Sequence, residues 1–266
     1  MNGRATTPDG SVALPRELMP NVVWLGDCLA TAYQGEVLHS YQSLFLIKGE
    51  EAACLVETGF PSHAATVQAQ LDEALAGGPP LRYIFPTHQE MPHAGGVGRL
   101  LERYPGSIAI GDVRDYHLFF PHLAQRFVPY DVGEEIDLGG LRVRMVDAVI
   151  KDLVSTQWLV VPELGALFTG DGFSFAHYHR AGQCGRVASE LPELDVSGLG
   201  QLFIEVALHW LRFVDPEVYV EALGRCLDEH DVTFIGPTHG LPITDVPQIM
   251  PHIYEGLRRA ADAAEV

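Results

Sequence analysis

The chain is short of basic residues: 17 Lys and Arg stand against 35 Asp and Glu in 266 residues, a formal net charge of -18. A surface that negative repels phosphate backbones and anionic lipid, so binding to nucleic acid or to a membrane is not expected. No apolar run reaches the length of a membrane span, and the first residues lack the basic-then-apolar pattern of a signal peptide. Cysteine is scarce as well. The four cysteines lie far apart and form no Cys-x-x-Cys pair, which argues against a zinc ribbon, an iron–sulfur cluster or a disulfide scaffold. Cys28, Cys54 and Cys226 lie in apolar contexts and read as small buried residues. Cys184 follows a His-containing loop, where it either lines a site or packs structurally. A reduced, cytoplasmic protein is expected.

With 47% hydrophobic residues, a chain of this length can bury one large core. Residues 1–20 are polar and carry Pro8, Pro15 and Pro20, so they are expected to form a loose arm, with a single domain over 21–266. Strand-like segments follow at Val22–Leu25, Glu36–Leu38, Ser43–Ile47 and Ala52–Val56. Ser62 is placed to cap a helix running to Ala76. A second β-rich block comprises Arg126–Tyr130, Leu141–Val146, Thr156–Val161 and Ala166–Thr169. Helical patterns dominate at about 195–213, 216–229 and 246–263, with a strand at Val232–Ile235 between the last two. This order predicts an α/β fold of two mixed sheets packed together, with helices outside.

The most informative stretch runs from Thr87 to Gly96. It places His88, Glu90 and His93 within six residues, after the apolar run Leu81–Pro86 and before a glycine-rich entry into a helix. Side chains two residues apart at such a strand end converge on one point, as His88 and Glu90 would, and His93 can return to the same pocket. Asp171 ends the apolar strand Ala166–Gly170, and His239 ends Thr233–Thr238; each precedes a glycine. Asp-Gly also makes ordinary turns. Three strand ends that each deliver His or Asp before glycine are nonetheless what a metal pocket at one edge of a sheet sandwich requires.

These residues resemble the metallo-β-lactamase superfamily from about Val22 to the C-terminus. The resemblance rests on Leu55-Val56-Glu57-Thr58-Gly59 (where the family usually has Asp for Glu57), the Thr-His-x-x-x-x-His-x-Gly-Gly loop, the Gly-Asp strand end and the late Thr-His-Gly. It implies an αββα sandwich. A carboxylate at position 90, where most hydrolases of the family have His, is similar to the flavodiiron and oxygen-binding diiron branch. On that pattern His88 and Glu90 bind one iron, His93 and His239 the other, and Asp171 bridges them. Two positions depart from it. Pro92 stands where the family has a ligand Asp, and Asp152, a candidate oxygen ligand, falls where it has a His. The flavodoxin segment of the branch is not expected, the sequence ending at 266. The resemblance also places His177 beside the metals, as the candidate catalytic residue.

Replacing imidazole by carboxylate hardens the pocket, which favours Fe or Mn over Zn. The expectation is a non-haem iron protein, with two ions favoured over one, that activates or reduces dioxygen or a related small oxidant. Its expected partners are a small-molecule substrate or dioxygen, an external electron-donor protein, and its own copies in a homo-oligomer. The alternatives are a metallohydrolase of ester, thioester or lactone substrates, weakened by the missing acid at position 92, and a non-catalytic oxygen or nitric oxide sensor. His39, His63, His117, His122, His209, His230 and His252 have no matching context and read as ordinary residues.

Overall fold

A computed structural model of the protein describes residues 11–33, 35–176, 179–180 and 182–263. Among the described residues twelve strands form two sheets. The larger runs in the order β1 (Arg16–Met19), β2 (Val22–Tyr33), β3 (Glu36–Lys48), β4 (Ala53–Val56), β5 (Leu81–Phe85), β6 (Ile108–Gly111) and β7 (Phe127–Pro129). It is antiparallel from β1 to β4 and parallel from β4 to β7. The smaller sheet comprises β8 (Glu135–Asp137), β9 (Arg142–Asp147), β10 (Gln157–Val161), β11 (Ala166–Gly170) and β12 (Phe234–Pro237), in the reverse spatial order, with β11 and β12 parallel.

The two-residue period of the strands divides their apolar side chains between two cores. Val22, Trp24, Phe45, Ile47, Cys54 and Val56 face the second sheet, where they meet Val143, Trp158 and Phe168. Their neighbours Val23, Leu25, Leu44, Leu46, Ala53 and Leu55 face the other way. They pack on α1 (Ala64–Ala74) and α3 (Val97–Arg103) through Val67, Leu71, Leu100 and Leu101. Strands apolar on both faces are what a sheet covered on both sides requires. The outer face of the smaller sheet is covered by α5 (Val196–Val206), α6 (Pro216–Glu229) and α7 (Val246–Asp262). Asp195, Asp215 and Asp245 each accept a backbone N–H at the start of these helices.

Several elements differ from the sequence expectation. Arg16–Met19, placed with the loose arm by its polarity, pairs with β2 as the sheet edge, where one exposed face tolerates polar residues. The segments Glu36–Leu38 and Ser43–Ile47 form one strand. Beyond Cys28 and Tyr41 the β2–β3 hairpin leaves the core, with Leu29 and Val37 exposed, and keeps its ladder to Tyr33↔Glu36. Ser62 caps nothing, since a 3-10 turn over Pro61–His63 leads into α1. The helix expected over 195–213 ends at Val206 and is followed by a 3-10 turn at His209–Phe213.

Candidate metal centre

The C-terminal ends of β4, β5, β11 and β12 meet at one rim of the sandwich, so each chain exit there delivers a side chain to the same place. Backbone bonds fix the meeting. Glu57 N–H donates to Phe85 O at 3.0 Å, Gln157 N–H to Thr87 O at 3.0 Å, and Thr238 N–H to Gly170 O at 2.9 Å. At Gly170, with φ of +55°, a Cβ would stand 2.5 Å from Thr87 Oγ1, so the two strand ends approach this closely only with glycine there. His93 lies in the short helix α2 (Met91–Ala94), and its carbonyl accepts from Thr58 N–H and Thr58 Oγ1, both at 2.8 Å.

His88, His93, Asp171 and Asp152 are drawn together. His88 Nε2 is 3.7 Å from both Asp152 Oδ2 and Asp171 Oδ2. His93 Nε2 is 3.5 Å, and His239 Nε2 3.4 Å, from Asp171 Oδ1. Glu90 completes a group with His88, His93 and Asp171 whose ligand atoms all lie within 4.8 Å of one another. The Asp171 carboxylate thus touches all three imidazoles, one oxygen toward His88 and the other toward His93 and His239. Pro92, at the position of a family ligand, occupies the first turn of α2 and offers no donor. His177 lies outside the described residues.

Three buried atoms at this point, His88 Nε2, His93 Nε2 and Asp171 Oδ1, have no hydrogen-bond partner. Buried polar atoms are rarely left so, because the cost of each is about 1–3 kcal/mol. Their spacings are too long for good hydrogen bonds. They suit instead donors on a common ion: with metal–N and metal–O bonds of about 2.1 Å, neighbouring donors sit about 3.0–3.5 Å apart. The donors therefore fit bound metal, with His88, Glu90, His93 and Asp171 within reach of one another and Asp152 and His239 beside them.

The protonation states agree with this use. Burial first, then the neighbouring His93, holds His88 down to about 2, and burial holds His93 and His239 at about 3, so all three imidazoles are neutral donors. Asp171 is pushed well above the carboxylate range by burial and by the charges of Asp152, Glu57 and Glu90. Burial and Asp152 also raise Glu90. Burial raises Asp152 too, against a hydrogen bond from Glu90 and the charge of His209. Crowded carboxylates are neutralised by protons or by cations, and metal bound here would do so at neutral pH.

Three residues that sequence reasoning did not assign sit directly behind the imidazoles. Glu57 is buried, with φ of +67°, and its Oε1 accepts from Thr87 Oγ1 at 2.6 Å and Thr238 Oγ1 at 3.0 Å, with His93 Nδ1 at 3.1 Å. Thr87 Oγ1, having donated its proton to Glu57, is left to accept from His88 Nδ1 at 3.1 Å. One carboxylate therefore fixes both rings with protonated Nδ1, leaving each Nε2 lone pair for a metal. The signal was present in the sequence: Glu57 is an acid at the end of an apolar strand, two residues before Gly59. His209, read as ordinary, is near enough to lower Asp152 electrostatically. Beside Asp171 an apolar pocket opens, lined by Ile150, Ile204, Leu208 and Leu211.

The family described as the metallo-beta-lactamase superfamily matches residues 39–182. A coenzyme F420H(2) oxidase of Methanothermobacter marburgensis is 23% identical over 250 residues, covering 90% of this chain and 60% of that protein. A hydroxyacylglutathione hydrolase of Synechococcus sp. is 31% identical over 134 residues, 50% of this chain and 48% of that protein. The flavodiiron protein from Giardia intestinalis shares the fold with a TM-score of 0.72 at 16% identity, over 95% of this chain and 60% of that one. The chain thus spans about 60% of the length of the oxidase it matches. Among the described residues no helix is long and apolar enough to cross a membrane.

Proposed function

The chain belongs to the metallo-β-lactamase superfamily, and from that premise we propose that it is a non-haem iron protein that reduces dioxygen or a related small oxidant. Two irons are proposed, fed by an external electron-donor protein. The observation that carries this reading is the carboxylate content of the centre: Glu90, Asp152 and Asp171 stand with His88, His93 and His239 where a zinc hydrolase is richer in imidazole. Iron, when bound, supplies one-electron chemistry toward oxygen. The protein's own part is to hold the ligands, to keep three imidazoles neutral, and to present an apolar pocket beside Asp171 suited to a small uncharged oxidant. The names of the F420H(2) oxidase and flavodiiron relatives point the same way.

Hydrolysis is the second reading, favoured by the hydroxyacylglutathione hydrolase relative over half of the chain. Pro92 counts against it, since a metallohydrolase needs a group to orient its metal-bound water and proline supplies none. The test is iron per chain in protein made and kept without oxygen, followed by oxygen uptake on exposure to air with a reductant present. Two irons per chain and catalytic oxygen consumption are expected. A carboxylate centre that refuses iron, or fast thioester or lactone hydrolysis by an oxygen-inert metal, overturns the proposal in favour of the hydrolase.

A further inference from the structure

Two of the cysteines that look isolated in the sequence come together with two histidines, one of which, His39, reads there as ordinary. Cys28 Sγ, His39, His179 and Cys184 Sγ form a group whose ligand atoms all lie within 4.8 Å of one another, and it shares no residue with the carboxylate-rich centre. The individual spacings are 3.4 Å from Cys28 Sγ to His179 Nε2, 3.4 Å from His179 Nε2 to Cys184 Sγ, and 3.3 Å from His39 Nδ1 to Cys184 Sγ. A tetrahedral zinc with Zn–S of about 2.3 Å and Zn–N of about 2.0–2.1 Å has sulfur-to-nitrogen edges of about 3.5 Å. The side chains therefore already stand near the corners of such a tetrahedron.

The backbone explains why they hold there. Across the β2–β3 hairpin Cys28 pairs with Tyr41 and Ala30 with His39, so Cys28, His39 and Tyr41 project from one face. The other pair comes from the chain that follows Asp171. His39 and His179 exchange backbone hydrogen bonds at 2.8 and 2.9 Å. Cys184 O accepts from Val12 N–H at 2.8 Å, and Gly185 O accepts from Arg16 Nη1 at 2.7 Å. The Tyr41 ring lies along the His179 ring, 5.4 Å between centroids and 16° between planes, which fixes the direction of the imidazole. Cys28 and Cys184 are free thiols, half-buried, while His179 is buried.

We propose that Cys28, His39, His179 and Cys184 form a closed tetrahedral zinc site that clips the segment after Asp171 to the β2–β3 hairpin. Two sulfurs and two imidazoles with no open position make a structural donor set, softer than the oxygen-rich centre. The same chain would then sort two metals by ligand chemistry, iron to the carboxylates and zinc to the thiolates. The segment it anchors leaves β11 directly at Asp171, so the clip steadies one wall of the carboxylate-rich centre without contributing a ligand to it.

The test uses the full chain, purified under reducing conditions from medium supplying zinc and iron, with both metals counted per chain. The parent should hold one zinc beyond the metals of the carboxylate-rich centre. Cys28→Ser and Cys184→Ser should each lose that one equivalent while the iron count stays unchanged, and Cys28→His should retain it. Cobalt loaded into the parent in place of zinc should give the intense visible bands of a tetrahedral cobalt–thiolate complex, absent from Cys184→Ser. This readout holds even if a serine variant folds poorly. A parent whose thiols bind neither metal, serine variants that keep their zinc, or a Cys28–Cys184 disulfide that persists by mass through purification under reducing conditions would each overturn the assignment. Because zinc is counted by its dependence on the thiols, failure here leaves the iron reading of the other centre to its own test.

Discussion

Replacing Glu57 by glutamine should weaken metal binding about 10- to 100-fold, the range seen when a partner behind a ligating histidine is lost, or about 1.4–2.8 kcal/mol. The contacts of the carboxylate give the reason. Its Oε1 faces Thr87 Oγ1 at 2.6 Å, Thr238 Oγ1 at 3.0 Å and His93 Nδ1 at 3.1 Å, and its Oε2 accepts from Thr87 N–H at 3.2 Å. An amide has one oxygen for these two roles. With that oxygen at the Oε1 position, its NH2 confronts the Thr87 N–H, and one buried donor is left unmet at about 1–3 kcal/mol. Turned round, the NH2 confronts His93 Nδ1 and drives that ring to the tautomer whose Nε2 carries a proton, which removes the lone pair from the metal. Either way the negative charge behind two imidazoles is gone. Metal content titrated against a chelator at constant pH reads the loss, and the urea midpoint of the metal-free protein reports whether the variant folds. A folded Glu57→Gln protein that holds its metals within twofold of the parent would refute the argument.

The neutral imidazoles also give a pH signature to the metal-free protein. Unfolded histidine titrates near 6.5, while burial holds folded His88 down to about 2. Below pH 6.5 the unfolded chain takes up a proton that the folded site refuses, so stability falls as pH falls, by about 1.4 kcal/mol per pH unit for each such imidazole. His88→Gln should flatten the decline between pH 6.5 and pH 4 by one proton's slope in denaturant titrations. Parallel curves for parent and variant would show that His88 is solvated or charged there. The ligand assignment is tested by Asp152→Ala and Pro92→Asp together: the first should release one ion sooner to a chelator, and the second should tighten the other if α2 keeps its path without proline's fixed φ. If Asp152→Ala retains both ions as firmly as the parent, Asp152 is a bystander.

Much of the architecture was written locally. The apolar runs of β4, β10, β11 and the inner part of β3 (Leu44–Ile47) are legible because each is buried on both faces, so nearly every residue is apolar and the segment stands out from its surroundings. The outer half of the β2–β3 hairpin is not, because it leaves the sandwich and its residues no longer alternate between a core and water. Helix ends followed the same division. Asp215 before Pro216 marks α6 by local chemistry, whereas Ser62 looked like a cap and was overruled by the 3-10 turn at Pro61.

The sequence by itself pointed to His88, Asp171 and His239 as candidate donors, since each follows an apolar strand, and to Asp152 only through a family resemblance. Only the tertiary structure decided what stands behind and beside them. Glu57 reaches His93 across two parallel strands, and Thr238 reaches Glu57 from the other sheet. Cys28 meets His179, and His39 meets Cys184, only because a hairpin and the chain after Asp171 fold onto one another. No spacing rule reports such a meeting. Ligands gathered by one turn leave a periodic trace in sequence, while ligands gathered by the packing of distant segments leave none, because the geometry that selects them belongs to the fold.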